Sequence, residues 1–393
     1  MNRLVSNRVI SIFFYFFIFF MCFTSTGSAF YNNFNLSIYI LYLLLPLSFI
    51  YRSYFLQYLN SKMVFFLGLM LIVFFISSLI SPIDEKVQVW GRFFGIIVSI
   101  FLGYLAYIFY QIKLISFQGV NYVLAWAGLV HVFILLYMWL TVPDPFYYNW
   151  VEGLYFFTNI RHLADLLSIC YFSSLILFYI TVNKSKYLYL LFSLLLLAAI
   201  FWSGSRAAYF GILMGWLFLI CYQKLKKEYL INFLVSIALG IYLSTLFHVI
   251  SPSLGFFKSF YRSVNGNVNS ISSSRLDLYQ QILEAYLLRP FWGYGGEAVR
   301  SLNIMQGEKQ IGQAHNAVLQ ILIDYGFVGL LFSSVFFLFV IMRMIKKIGL
   351  TQLFCLVIII NIIFAALLNG GAYYILTLAL LSIFMGMACT KEK

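Results

Sequence analysis

Residues 251–314 read SPSLGFFKSFYRSVNGNVNSISSSRLDLYQQILEAYLLRPFWGYGGEAVRSLNIMQGEKQIGQA, the one long stretch of this sequence polar enough to lie outside a lipid bilayer. Lys258, Arg262, Arg275, Arg289, Arg300 and Lys309 are interleaved there with aromatics, and His315 follows just before the apolar pattern resumes. On either side the chain resembles hydrocarbon. Of its 393 residues 63% are hydrophobic and 9% charged, at a mean hydropathy of +0.94, whereas a soluble domain is roughly half apolar and roughly a quarter charged. These proportions exclude a soluble enzyme and imply a polytopic membrane protein.

Apolar runs near 9–24, 35–51, 63–81, 93–111, 119–141, 163–182, 187–203, 205–222, 229–250, 326–343, 351–368 and 371–388 each approach the roughly 20 residues that cross a bilayer as a helix. They are too long and too uniformly apolar for barrel strands, so peptide groups without water must be satisfied within helices. The expectation is an all-α membrane protein of about twelve transmembrane helices. Nine fall in 1–250, a large external loop with amphipathic helices occupies 251–325, and three more with a cytoplasmic tail fill 326–393. Residues 8–29 also have the marks of a signal peptide, with Arg3 and Arg8 before an apolar run and TSTGSA after it; a retained first helix is expected.

Lys and Arg collect in cytoplasmic loops. With the N-terminus inside, Arg3, Arg8, Arg52, Lys62, Lys113, Lys184, Lys186, Lys224, Lys226, Lys227, Arg343, Lys346, Lys347, Lys391 and Lys393 fall in the cytoplasm, both termini are cytoplasmic, and the polar loop is external. The net charge of +13 then reflects orientation and not nucleic-acid binding. Cys22, Cys170, Cys221, Cys355 and Cys389 lack C-x-x-C spacing, so neither a disulfide framework nor a zinc site is indicated.

Several polar residues sit where the pattern disfavours them. Arg206, in FWSGSRAAYFG, lies at the external end of two consecutive spans, in a short turn with little protein to cover it. It is either an interfacial arginine reaching the headgroups or a guanidinium whose planar fork suits a lipid-linked phosphate. Arg275 follows three serines that can cap a helix, with Leu276, Tyr279, Ile282, Leu283, Tyr286 and Leu287 on one apolar face before Pro290 ends it. A cation at a helix N-terminus is unfavourable, and an arriving anion would relieve it; the alternative is a solvated loop arginine. FWGYGGE lacks the G-x-x-x-x-G-K-[ST] pattern and reads as a flexible turn between helices. His315 precedes Val318, Leu319 and Leu322 on one helical face. It is either a buried structural residue or a general base, since an ordinary pKa of about 6.5 leaves it proton-accepting near neutrality. His131 and His248 read as structural, Arg161 and His162 as further external candidates, and Asp165 and Asp324 as carboxylates that pair an arginine or face water.

Together, FWSGSRAAYFG and the later SRLDLYQQILEAYLLRPFWGYG with AHNAVLQILIDYGFVG resemble the O-antigen ligase family, whose superfamily also holds O-antigen polymerases and protein oligosaccharyltransferases. The order of motifs, the hydropathy profile and the large loop after the ninth span all match. The resemblance implies a C-type glycosyltransferase-like fold in the bacterial inner membrane with a periplasmic active site. It implies transfer of a glycan from an undecaprenyl diphosphate carrier to lipid A–core, with inversion and with neither metal nor cofactor. Arg206 and Arg275 would hold the diphosphate, His315 would activate the acceptor hydroxyl, and Arg161, His162 and Asn316 would be secondary site residues. The nearest rival is an O-antigen or capsule polymerase using a carrier-linked acceptor. A transporter would instead require charges inside spans and paired halves, and neither is evident.

Overall fold

Every predicted apolar run lies on a helix, as lipid demands of a chain whose peptide groups find no water. A computed structural model describes residues 2–24, 29–57, 61–223, 227–251, 253–265, 275–306, 309–345 and 348–390. Of the described residues 78% are helical. Among the described residues seven helices are long and apolar enough to cross a membrane: Lys62–Leu79, Lys86–Gln111, Phe117–Thr141, Ile160–Ile180, Lys186–Ser203, Ala317–Ile345 and Leu350–Asn369. The other predicted spans fall on the shorter apolar helices Asn7–Met21, Phe34–Ile50, Arg206–Tyr222, Phe233–Thr245 and Ile375–Ala388. The chain is therefore a multipass membrane protein. The three serines at 272–274 expected to cap a helix lie outside the described residues, as do Lys224, Lys226, Lys346, Lys347, Lys391 and Lys393 and the side chains of Arg3, Lys227, Arg262 and Lys309.

The residues group into two units. The first comprises Met1–Gly27, Lys113–Gly266 and Val357–Ala365. Its core includes a cluster of Met138, Trp150, Ile160, Trp202, Val249 and Leu254. The two indoles lie edge to face at 5.2 Å, and each donates its N–H to a carbonyl, Trp150 to Pro145 at 2.8 Å and Trp202 to Phe247 at 2.7 Å. Buried indoles need this arrangement, an apolar body packed and a polar edge satisfied.

The second unit comprises Ser28–Ile112, Asn267–Leu356 and Ala366–Lys393. Its decisive feature is a break in the long Ala317–Ile345 helix at Gly326, whose φ of 68° and ψ of −171° are open essentially to glycine alone. A Cβ there would stand 2.2 Å from the Phe291 carbonyl oxygen. The break frees backbone groups, and FWGYGGE satisfies them. Phe327 N–H donates to Pro290 O at 2.7 Å and Val328 N–H to Phe291 O at 3.2 Å; in return Tyr294 N–H reaches Ile323 O at 3.0 Å and Gly295 N–H reaches Asp324 O at 2.7 Å. Ser77 adds a hydroxyl to Asp324 O at 3.0 Å. The glycine-rich segment expected to be a flexible turn is thus a fixed crossing, held to the broken helix by main-chain bonds.

The Arg275–Leu288 helix also differs from expectation. Leu278 and Ile282 are its buried side chains, packed with Ala298, Val299 and Ile323, while Leu276, Leu283 and Leu287 of the predicted apolar face are exposed. Apolar residues sit on both sides of it, so periodicity alone could not choose the packed face.

Candidate functional site

The C-terminal turn of the Leu350–Asn369 helix gathers three of the residues singled out above. The helix ends on Gly370, in the left-handed conformation at φ 64°. Its last carbonyls need partners, as at any helix C-terminus. Asn316 Nδ2 donates to Leu367 O at 3.0 Å, and the Arg275 guanidinium donates to Leu368 O. A Cβ on Gly370 would meet the His315 backbone at 3.1 Å, so the histidine's main chain lies directly against the turn. The structure therefore brings Arg275, His315 and Asn316 to one helix end.

The local roles are not those of the sequence reading. His315 does not open the following helix. It precedes Asn316 in a left-handed conformation, φ 50°, and Ala317 is the first helical residue. Asn316 Oδ1 accepts from Val318 N–H at 2.9 Å and Leu319 N–H at 3.1 Å, a helix cap whose amide also ties the cap to Leu367. A left-handed histidine costs of order 1 kcal/mol and persists where surroundings over-determine it, a pattern concentrated at working sites. Arg275 does sit at its own helix's first residue, but its guanidinium serves the negative end of another helix. That fixes its position by a cation–dipole contact not foreseen from the sequence.

A chain of buried polar contacts surrounds the His315 segment. Gln320, 4% exposed, accepts from Ala314 N–H at 2.8 Å and donates to Asp324 Oδ2 at 3.0 Å. Asp324, 1% exposed, accepts Ala298 N–H at 3.1 Å through its other oxygen. Next to Ala298, Glu297 is 1% exposed and left-handed at φ 65°. Its carboxylate accepts the Tyr373 hydroxyl and meets Arg300 Nε at 3.2 Å. Arg92 is 6% exposed, donates to the Tyr373 carbonyl and lies over that ring at 4.7 Å. Tyr373 N–H in turn bonds Gly370 O at 2.8 Å, and Gln313 donates to the Tyr374 hydroxyl at 2.9 Å. The contacts run from Ala314 round to Gly370, so the peptide on either side of His315 is held. Asp324, expected to pair an arginine or face water, is buried within this chain, where Arg92 acts on it electrostatically.

Burial pushes the Glu297 carboxyl above the usual carboxylate range, against the pull of Arg92, the Tyr373 hydroxyl and Arg300. A carboxyl raised in the folded state contributes its stability below its unfolded pKa and loses it as pH climbs through the folded one. Wild-type thermal stability should therefore fall as pH rises above about 4.5, and Glu297→Gln should flatten that fall. Superimposable profiles for the two proteins in detergent would assign the dependence to another group.

Arg206 belongs to the first unit and begins the Arg206–Gln223 helix. The preceding turn, expected to be uncovered, is covered. Gly204, at φ 67°, has room for no Cβ because Ser253 O would lie 2.4 Å from it; Gly255 N–H bonds Trp202 O at 2.8 Å and Ser259 Oγ bonds Gly204 O at 3.2 Å. Arg161 and His162, also in this unit, stand in the first turn of Ile160–Ile180, which Asn159 caps by accepting Arg161 N–H at 2.9 Å. His131, read as structural, is 2% exposed, bonded to Cys22 O at 2.9 Å and stacked on Phe23.

Sequence reasoning missed Arg92, Glu297, Gln320 and Tyr373. The signal was present for the first, since an arginine inside an apolar helix is costly and needs a partner. Among the described residues no group of three His, Cys, Asp or Glu is placed to hold a metal ion. Compared with known proteins, residues 191–334 match the family described as O-antigen ligase. That range contains Arg206, Arg275, His315 and Asn316, while Arg92, Tyr373 and the 367–370 turn lie beyond it. No curated protein matches the chain.

Proposed function

We propose, from the match of residues 191–334 to the O-antigen ligase family, that the chain transfers O-polysaccharide from undecaprenyl diphosphate to lipid A–core at the periplasmic face of the bacterial inner membrane. The family supports ligase or polymerase-type activity, and the lipid A–core acceptor is our reading within it. In this reading residues 251–325 form the periplasmic segment and both termini are cytoplasmic. The observation that carries the proposal is the meeting of Arg275, His315 and Asn316 on the last turn of Leu350–Asn369.

A glycosyl diphosphate is already activated, so the protein must stabilise charge on the departing diphosphate and remove a proton from the acceptor. His315 takes the proton of the attacking sugar hydroxyl. Its oxygen forms the new bond at the anomeric carbon, while the old carbon–oxygen bond breaks and its electron pair leaves with the diphosphate. Attack opposite the leaving group inverts the anomeric centre. Arg275, fixed by Leu368 O, faces the developing charge, and Asn316 holds the histidine's segment to the same turn. Arg206 is the second diphosphate residue of this reading, supported by its FWSGSRAAYFG motif within the matched range. Arg161 and His162 are secondary candidates.

Purified protein given carrier-linked glycan and lipid A–core in EDTA is expected to form the joined product. Arg275→Ala and Arg206→Ala should each lower the rate by about 10²-fold or more, with folding intact. Translocation without product would remove the enzyme reading, and lengthening of carrier-linked glycan instead would make the protein a polymerase. A deletion strain distinguishes the two in cells: loss of a ligase leaves long glycan on its carrier, whereas loss of a polymerase leaves a single repeat on core.

A further inference from the structure

The Phe256–Asn265 helix, FFKSFYRSVN, is turned inside out. One of its serines faces the protein: Ser259 is fully buried and donates to Gly204 O at 3.2 Å. An apolar stripe faces away: Phe257, Phe260, Tyr261 and Val264 are 60%, 61%, 67% and 62% exposed. Those four stand at i, i+3, i+4 and i+7, which is one stripe of a helix. The inner side is anchored by Phe256, whose ring packs on Phe201 at 5.2 Å and Tyr209 at 5.7 Å. Lys258 turns back to the carbonyls of Val249 and Ser251.

In water such a face would be costly, and the level at which the helix is fixed says what covers it. Gly204 is the turn between the apolar helices Lys186–Ser203 and Arg206–Gln223, the first of which is long and apolar enough to cross a membrane. A helix bonded to that turn lies where such helices leave the hydrocarbon. Arg262 belongs to the same short sequence, a cation of the kind that complements anionic headgroups on an interfacial helix. We infer that Phe256–Asn265 lies in the bilayer interface, with Phe257, Phe260, Tyr261 and Val264 buried at the boundary between headgroups and acyl chains.

The test places one thiol-reactive, polarity-sensitive fluorophore at Phe260→Cys, in full-length protein whose exposed Cys221 is replaced by serine. The protein is reconstituted in phosphatidylcholine–phosphatidylglycerol vesicles. Val264→Cys serves as the second labelled variant should the first fold poorly, and Gln310→Cys, an exposed position on the two-residue strand Lys309–Gln310, is the reference. Quenching by shallow nitroxide lipids should exceed the reference severalfold, with aqueous iodide quenching reduced by a similar factor. Iodide quenching equal to the reference would place the stripe in water and overturn the inference. Protection from iodide without nitroxide quenching would overturn it equally, by showing a protein cover.

Discussion

Purified His315→Ala protein is expected to lose about 10²–10⁴-fold in glycan transfer while inserting and melting as wild type does. The magnitude is what a positioned general base contributes when attack and proton removal are concerted. Stability should change little, because the contacts that hold this segment are made by its neighbours. Gln320 binds Ala314 N–H, Asn316 caps the next helix and ties Leu367, and Gly370 packs against the His315 main chain. The left-handed backbone at 315 even favours a variant that tolerates it, so His315→Asn is the closer control. Both variants should bind the carrier-linked donor about as tightly as wild type, since the proposal gives the diphosphate contact to Arg275 and Arg206. Wild-type turnover in either variant would remove the base from the scheme.

The second large effect is on stability. Arg92→Met is expected to cost about 3–5 kcal/mol, the loss seen when one member of a buried ion pair is removed. Arg92 is 6% exposed, interacts electrostatically with both Glu297 and Asp324, and donates to Tyr373 O. Methionine fills similar volume and leaves two buried carboxyl groups without that cation. Adding Glu297→Gln should restore part of the loss, because the double variant buries one fewer charge, and the cycle measures the coupling directly. Thermal unfolding of the four proteins in one detergent suffices. A single variant within 0.5 kcal/mol of wild type would mean that the contacts around Tyr373 carry little.

The membrane class and the helix ranges were legible because hydrophobicity sums over some twenty residues and survives any local exception. Arg275 and His315 were legible as exceptions to that pattern. Their partners were not. The carbonyls of Leu367 and Leu368 carry no sequence signal, being ordinary peptide groups left over at a helix end. Of the apolar face read on Arg275–Leu288, Ile282, Tyr279 and Tyr286 pack and Leu276, Leu283 and Leu287 are exposed, a split that the spacing alone does not decide because Leu278 on the other side is buried too. Glu297 looked like one more residue of a glycine-rich turn, and only its burial against Tyr373 and Arg300 gives it weight. Glycines in FWGYGGE read as freedom, whereas here they permit close approach to a broken helix.

The break at Gly326 also sets how the chain fits its lipid. An uninterrupted helix of 29 residues would be about 43 Å long at 1.5 Å per residue, well beyond the roughly 30 Å of hydrocarbon. Interrupted, residues 327–345 measure about 28 Å, close to that thickness. The preceding half, with Gln320 and Asp324 paired inside the protein, is spared the hydrophobic mismatch.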